Sequence, residues 1–321
     1  MQKTSKAVIM IDMKPLPVIG IPRALLYYRS GTLWKAFFEA LGVPVVLSPP
    51  TSREILDIGS SLAVDETCLS AKIFIGHVRS LLGTCDRIFV PRYSSFQRSE
   101  LFCTRFEGLY DQMRNVFRAD QHRFLCCNVD ALNGSPEESA FTELGKELGF
   151  SAQQSRDAWR RAKKAETDER KRLCRLQEEA LRAPGMKILL TGHPYILSDP
   201  YLGKPILDYL RSNGAVPIRA DETDREAAKK ACARFSPTCR WVMNEELIGG
   251  TLLRKDRADG LILLSAFPCG PDSMTNELLT RRLHDIPILN LVLDAQTGTA
   301  GIETRLESFL DIIQFKQGAE Q

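Results

Sequence analysis

No two cysteines of the chain stand in a C-x-x-C pair, no stretch matches G-x-x-x-x-G-K-[ST], and no apolar run nears the length of a bilayer. Each absence removes a class. Without C-x-x-C spacing, a compact sequence-local zinc or ferredoxin site is excluded, because Cys126 and Cys127 are too close together and Cys232 and Cys239 too far apart. Without the phosphate-cradling loop, the chain does not read as an ATPase. A membrane span needs about 20 apolar residues, and a secretory leader needs a charged, apolar, small-residue order that the N-terminus lacks, so a cytoplasmic protein is expected. A formal net charge of +3, from 43 basic and 40 acidic residues, offers no electrostatic case for nucleic acid. Short-period repeats and low-complexity tracts are also missing.

What remains is a globular chain of 321 residues, 44% hydrophobic, with nine cysteines. "PVIGIP" (17–22) predicts a strand, "SGTLWKAFFEALG" (30–42) an amphipathic helix closed by Gly42, and "VPVVLSPP" the next strand, a β-α-β unit. Helices are predicted over 52–62 and 68–82, a strand over 87–93, a loop, a helix near 107–118 and a strand over 123–130. Residues 135 to 182 change to charged, helix-prone sequence, whose second stretch, from Ser151 and stopped by Pro184 and Gly185, predicts a long connecting helix. Alternation then resumes with strands at 186–194, 215–220, 260–267 and 286–294 and helices between and after them.

The expected fold is therefore α/β, with two Rossmann-like lobes of parallel sheet at 1–134 and 185–321, joined by a helical connector at 135–184. Open parallel sheets bind ligands beyond the carboxyl ends of their strands. Cys269 in "FPCGPDS" has that position, between a strand and a helix that Asp272 and Ser273 are placed to cap. Cys68 in "VDETCLS" sits in a predicted first helical turn behind the capping candidates Asp65, Glu66 and Thr67, and Cys103 in the irregular stretch after the strand 87–93. A helix N-terminus favours the thiolate, the form that binds metal or attacks an electrophile. Cys85, Cys174, Cys232 and Cys239 read as small buried hydrophobes, as do Cys126 and Cys127, which point to opposite faces of one strand. Spacing leaves open a dispersed site in which single cysteines from separate loops converge.

His193 in "TGHPY" follows a strand end, where it could donate a proton or support a cluster, or merely shape a turn. His77 reads as a satisfied core histidine. Arg23, Tyr27 and Arg92 are placed to enter the cleft, and Asp294 and Thr297 end the last strand, where each could bind an anionic substrate or cap local structure.

The stretches from Ile19 to Val78 ("IGIPRALLYY…DETCLSAKIFIGHV"), "GHPYILSDPYLGKPILDYLRSNGAVPI", "LSAFPCGPDSMTNELL" and "ILNLVLDAQTGTAGIETRLESFLD" resemble, in order, the activase-related proteins of the 2-hydroxyacyl-CoA dehydratase and benzoyl-CoA reductase superfamily. The resemblance runs from about Pro17 to Asp311 and is weakest through 150–183. It implies that Cys68 (D-E-x-C), Cys269 (S-x-F-x-C-G-P-D-S) and Cys103 are cluster-binding thiolates; at Cys103 this chain has "FCTRF" where the family has cysteine followed by proline. It further implies a [4Fe-4S] cluster, or two cubes joined through sulfide as a double-cubane [8Fe-9S] cluster across a homodimer. Electrons would come from a separate ATP-hydrolysing activase, and a small molecule or acyl-CoA would be the substrate. The other readings are a non-catalytic cluster-binding or small-ligand module docking to an activase or dehydratase, and a zinc or thiol enzyme using the same cysteines.

Overall fold

The computed structural model describes residues 15–295 and 299–319. Apolar strands alternate with amphipathic helices at both ends of the chain. β1 (Ile19–Ile21), α1 (Tyr27–Ala40), β2 (Val45–Leu47), α2 (Arg53–Leu62), α3 (Leu69–Leu81) and β3 (Arg87–Phe89) open it. β4 (Arg92–Gln97), β5 (Glu100–Leu101), α4 (Thr104–Glu107), α5 (Leu109–Val116), β6 (Phe124–Leu125) and β7 (Asn128–Asp130) follow. Two helices come next, α6 (Glu137–Glu147) and α7 (Ala152–Arg182). The second series is β8 (Met186–Thr191), α8 (Pro194–Leu197), α9 (Gly203–Ser212), β9 (Ala215–Arg219), α10 (Arg225–Phe235), α11 (Val242–Arg254), β10 (Gly260–Ala266), α12 (Gly270–Arg282), β11 (Ile288–Leu293) and α13 (Thr299–Ala319).

Two four-stranded sheets result, in the orders β2-β1-β3-β6 and β11-β10-β8-β9. Every pairing in them is parallel, as Rossmann-like α/β architecture requires. β10 is buried at all seven positions, the pattern of a central strand covered on both faces. A third sheet, β5-β4-β7, was not expected. The predicted strand 87–93 breaks at Pro91, which has no N–H for the ladder, and the chain steps from one sheet to the other. The predicted strand 123–130 breaks beside it, so Cys126 and Cys127 lie between β6 and β7. β5 turns back antiparallel to β4 where a loop was expected, and this hairpin delivers Cys103.

The second stretch of the charged segment forms one 31-residue helix, α7, with a capping box between Ser151 and Gln154. It does more than connect. Ser155, Ala158, Ala162 and Glu166 are buried on one face. Gly145 of α6 admits Ser155, because a Cβ there would lie 2.1 Å from its Oγ. The larger hydrophobic cluster contains residues of both parallel sheets, from Ile19 to Ile313.

α2 and α3 cross in direct backbone contact. A Cβ on Gly59 would lie 1.8 Å from the Lys72 carbonyl oxygen, and one on Gly76 2.0 Å from that of Ile55. This crossing sets where α3 begins, and so where Cys68 stands. No described helix is long and apolar enough to cross a membrane.

Candidate functional site

Cys68, Cys103 and Cys269 line one cavity of about 40 Å³, reached from three separate segments. Each occupies the N-cap position of a helix, α3, α4 and α12 respectively, and none makes a side-chain cap hydrogen bond. Their carbonyls cap instead: Cys68 accepts from Ala71 and Lys72, Cys103 from Phe106 and Cys269 from Ser273. The Leu69 N–H also donates to the Phe267 carbonyl at 2.9 Å, which ties the Cys68 turn to the β10–α12 connection.

The expected caps differ. Pro271 sits in the first turn of α12, and Asp272 is buried and turned to His193 rather than to the helix N-terminus. The Thr67 hydroxyl finds no partner in the protein among the described residues, and of the Asp65 carbonyl and side chain it is the carbonyl that accepts from Lys72 Nζ.

The electrostatics correct the expectation of low-pKa thiols. Burial pushes the Cys68 thiol up, and the opposing Ala71 N–H and Arg105 guanidinium do not offset it. The Cys269 thiol is pushed well above its ordinary value by burial and then by the Asp272 carboxylate beside it. Removing a thiolate from water costs more here than a helix N-terminus returns.

His193 lines the same cavity. Its Nε2 meets Asp272 Oδ1 at 2.7 Å, with both side chains at most 4% exposed. Its ring stacks on Tyr195 at 4.8 Å, and Nδ1 has no partner in the protein among the described residues. Burial would raise the Asp272 carboxyl, but His193, with hydrogen bonds that include Asn244, holds it below its ordinary value. Asn244 donates to Asp272 at 3.2 Å and to Thr275 at 3.0 Å, so the carboxylate is fixed from two helices. Leu25, another lining residue, has φ 51°, the left-handed region a leucine rarely adopts.

The remaining candidates disperse. Arg92 pairs with Asp111 and lies over the Tyr110 ring at 5.8 Å, apart from the residues that line the cysteine cavity. Tyr27 lines a different cavity, of about 300 Å³, and Asp294 a third, of about 180 Å³. The Arg23 N–H donates to Ser48 Oγ at 2.8 Å. Thr297 lies outside the described residues. His77 is buried with Nδ1 2.8 Å from Ser48 Oγ and Nε2 3.0 Å from Thr51 Oγ1, as a satisfied core histidine should be.

Sequence reading did not single out Arg105, Tyr195, Asn244 or Trp241, which also line the cavity. Arg105 and Tyr195 each stand two residues from a named candidate, which was the available signal. Nothing local marks Asn244 or Trp241.

Among the described residues, no group of three or more His, Cys, Asp or Glu side chains is arranged to hold a metal ion. The cavity has room for about one or two waters. Its donor chemistry nevertheless fits an iron–sulfur group, since three soft thiol sulfurs border one space. Holding such a group would require the three cysteine turns to part.

Comparison with solved structures finds a likeness to one titled "Crystal structure of ZnuA", at 11% identity, covering 94% of this chain and 99% of that one, with a TM-score of 0.23. So slight a likeness bears on neither fold nor function. No curated protein matches the chain. Residues 18–222 match the family described as "CoA enzyme activase uncharacterised domain (DUF2229)". That match spans β1 through the β9–α10 connection, including Cys68, Cys103 and His193, and the chain belongs to this CoA enzyme activase-related family.

Proposed function

We propose that the protein is an iron–sulfur electron-transfer or reductase component, in which Cys68, Cys103 and Cys269 hold a [4Fe-4S] or double-cubane [8Fe-9S] cluster. It accepts electrons from a separate ATP-hydrolysing activase, as a homodimer, and passes them to a small molecule or an acyl-CoA. The observation that carries the reading is the convergence of three cysteines, from turns 35 and 166 residues apart in sequence, on one cavity. Membership of a CoA enzyme activase-related family is consistent with it. Such a cluster supplies low-potential one-electron transfer.

The chain's own residues have defined parts in this reading. The thiols must lose their protons to become ligands, and burial makes that loss costly without a cation. The same burial makes Cys68 and Cys269 poor free nucleophiles, which disfavours a thiol enzyme. Asp272, held by His193 and Asn244, stands beside the Cys269 thiol and orients that wall of the site. Phe102, Phe106, Tyr195 and Trp241 exclude water from it.

Anaerobic reconstitution with iron and sulfide, followed by iron and sulfide analysis and electron paramagnetic resonance, tests the assignment. Cys68→Ala, Cys103→Ala and Cys269→Ala should each lose most of the iron, while Cys174→Ala retains it. A parent protein that stays colourless and iron-free after reconstitution overturns the reading. Zinc found in place of iron would overturn it as well.

A further inference from the structure

The cavity of about 300 Å³ lies between α1, α7, α11 and the β9–α10 connection. Its volume is at the lower end of small-ligand sites. Arginines from three helices line it: Arg29 of α1, Arg170 of α7 and Arg225 at the start of α10. Glu246 of α11 sits among them, 2.6 Å from Arg29 and 3.4 Å from Arg225.

The other lining charges are committed elsewhere. Arg219 is held by Asp221 at 2.7 Å and Glu222 at 3.1 Å. Glu169 pairs with Arg172 at 2.7 Å, and Glu166 with Lys163 at 2.8 Å. Lys163 also holds Glu137 at 2.7 Å, so that group returns one negative charge. Asp221 and Glu222 likewise leave one negative charge beside Arg219, so the three guanidiniums around Glu246 are balanced in charge, and what the cavity offers a ligand is unfilled guanidinium N–H groups.

Two further observations show how closely these charges act on one another. Burial works to raise the Glu246 carboxyl, yet Arg29, Arg225 and Arg170 hold it down to about 2. Burial and the Arg29 charge push the Arg225 guanidinium down to about 10. The geometry agrees. Arg170 forms no ion pair with a carboxylate among the described residues and donates instead to the Thr223 carbonyl at 2.7 Å. The Nε atoms of Arg29 and Arg170 are buried with no acceptor in the protein among the described residues, and that of Arg225 faces Glu246 at 3.4 Å without a hydrogen bond. Guanidinium N–H groups bond carboxylate and phosphate oxygens two at a time, and a buried donor left unmade is costly.

We propose that this cavity binds a small organic oxyanion, a phosphate ester or a carboxylate, through Arg29, Arg170 and Arg225. Met243 lines both this cavity and the cysteine cavity, so a ligand anchored here by its oxyanion lies next to the cysteine site. Binding does not depend on a cluster, and the two readings can fail separately.

Calorimetry and thermal shift on the full chain without iron, at constant ionic strength, test the site with inorganic phosphate, succinate and chloride. Phosphate or succinate should bind saturably and raise Tm, with chloride inert, and the stronger of the two identifies the oxyanion class. Arg170→Gln loses no ion pair and one hydrogen bond, that to the Thr223 carbonyl, so it should still fold and should weaken binding by about ten-fold or more. Arg225→Lys, which keeps the charge but removes the Nε donor, should also weaken it. The proposal is overturned if neither anion binds better than chloride, or if both variants bind as the parent does.

Discussion

Asp272 Oδ1 lies 2.7 Å from His193 Nε2, and the two residues come from the ends of adjacent strands of one sheet, β10 and β8. Strand order thus does what sequence proximity cannot, bringing an imidazole and a carboxylate together beside the Cys269 turn. Removing one partner of a buried hydrogen-bonded pair leaves the other unsatisfied and costs about 1–3 kcal/mol, more where the group left behind is charged. His193→Gln and Asp272→Asn should each destabilise the protein to urea by about that much. The double variant should cost clearly less than their sum, since neither orphan remains. Simple additivity would show that the two side chains are not coupled.

The same carboxylate raises the Cys269 thiol pKa, second only to burial. Asp272→Asn should therefore lower that pKa, moving the pH dependence of Cys269 alkylation by iodoacetamide to lower pH. Mass spectrometry of the Cys269 peptide reads the shift. An unmoved profile would assign the raised pKa to burial alone.

The α2–α3 crossing has no room for a side chain at Gly59 or Gly76. Gly59→Ala and Gly76→Ala put a methyl within 2.0 Å of backbone oxygen, so each should destabilise by at least about 2 kcal/mol. Because α3 begins at the Cys68 turn, iron uptake after reconstitution should fall with them. Gly83→Ala serves as the contrast: its φ of 90° is strained, but no atom lies within 4 Å of the added Cβ. It should lose stability and leave iron uptake unchanged.

The parallel sheets were legible because their strands are short apolar runs bounded by Gly, Pro and Asp, with helical periodicity between them. "GLILLSAF" is such a run, and β10 forms over 260–266 of it. The third sheet was not legible. Pro91 marked a break in the strand 87–93, but the pairing of β4 with β7 is a tertiary fact. The charged helix hid its packing, since a buried stripe of Ser155, Ala158 and Ala162 carries little hydrophobic signal. The position of Cys269 just beyond a strand was legible, and there it lines the cysteine cavity. The height of its pKa was not, because that depends on burial and on a carboxylate whose direction is set by His193, 79 positions earlier in the chain.

His77 supplies the pH prediction, and the polarity of its hydrogen bonds gives the sign. The Thr51 hydroxyl donates to Asp199, so its lone pair accepts from His77 Nε2–H. Ser48 Oγ accepts from the Arg23 N–H and donates to Nδ1. With a neutral imidazole every proton in that chain has an acceptor, whereas a protonated one would donate at Nδ1 as well and leave the Ser48 hydroxyl proton without this partner. Burial, with the Arg23 charge, accordingly lowers the His77 pKa from 6.5 to about 3. A folded pKa below the unfolded value means that the unfolded chain binds the extra proton first. The stability associated with neutral His77 is therefore complete above about pH 6.5 and is lost as pH falls toward 3. The loss can reach about 1.4 kcal/mol per pH unit. Asp199, whose carboxyl is raised by burial, works in the opposite sense above its ordinary value, and groups outside this chain of bonds contribute equally to both proteins. Urea denaturation of the parent and of His77→Gln at each pH from 7 to 5 removes those common contributions. The variant should be less stable at pH 7, since Gln cannot reproduce both bonds, and its stability should fall less steeply toward pH 5. Parallel profiles would mean that His77 gains its proton as readily in the folded protein as in the unfolded chain.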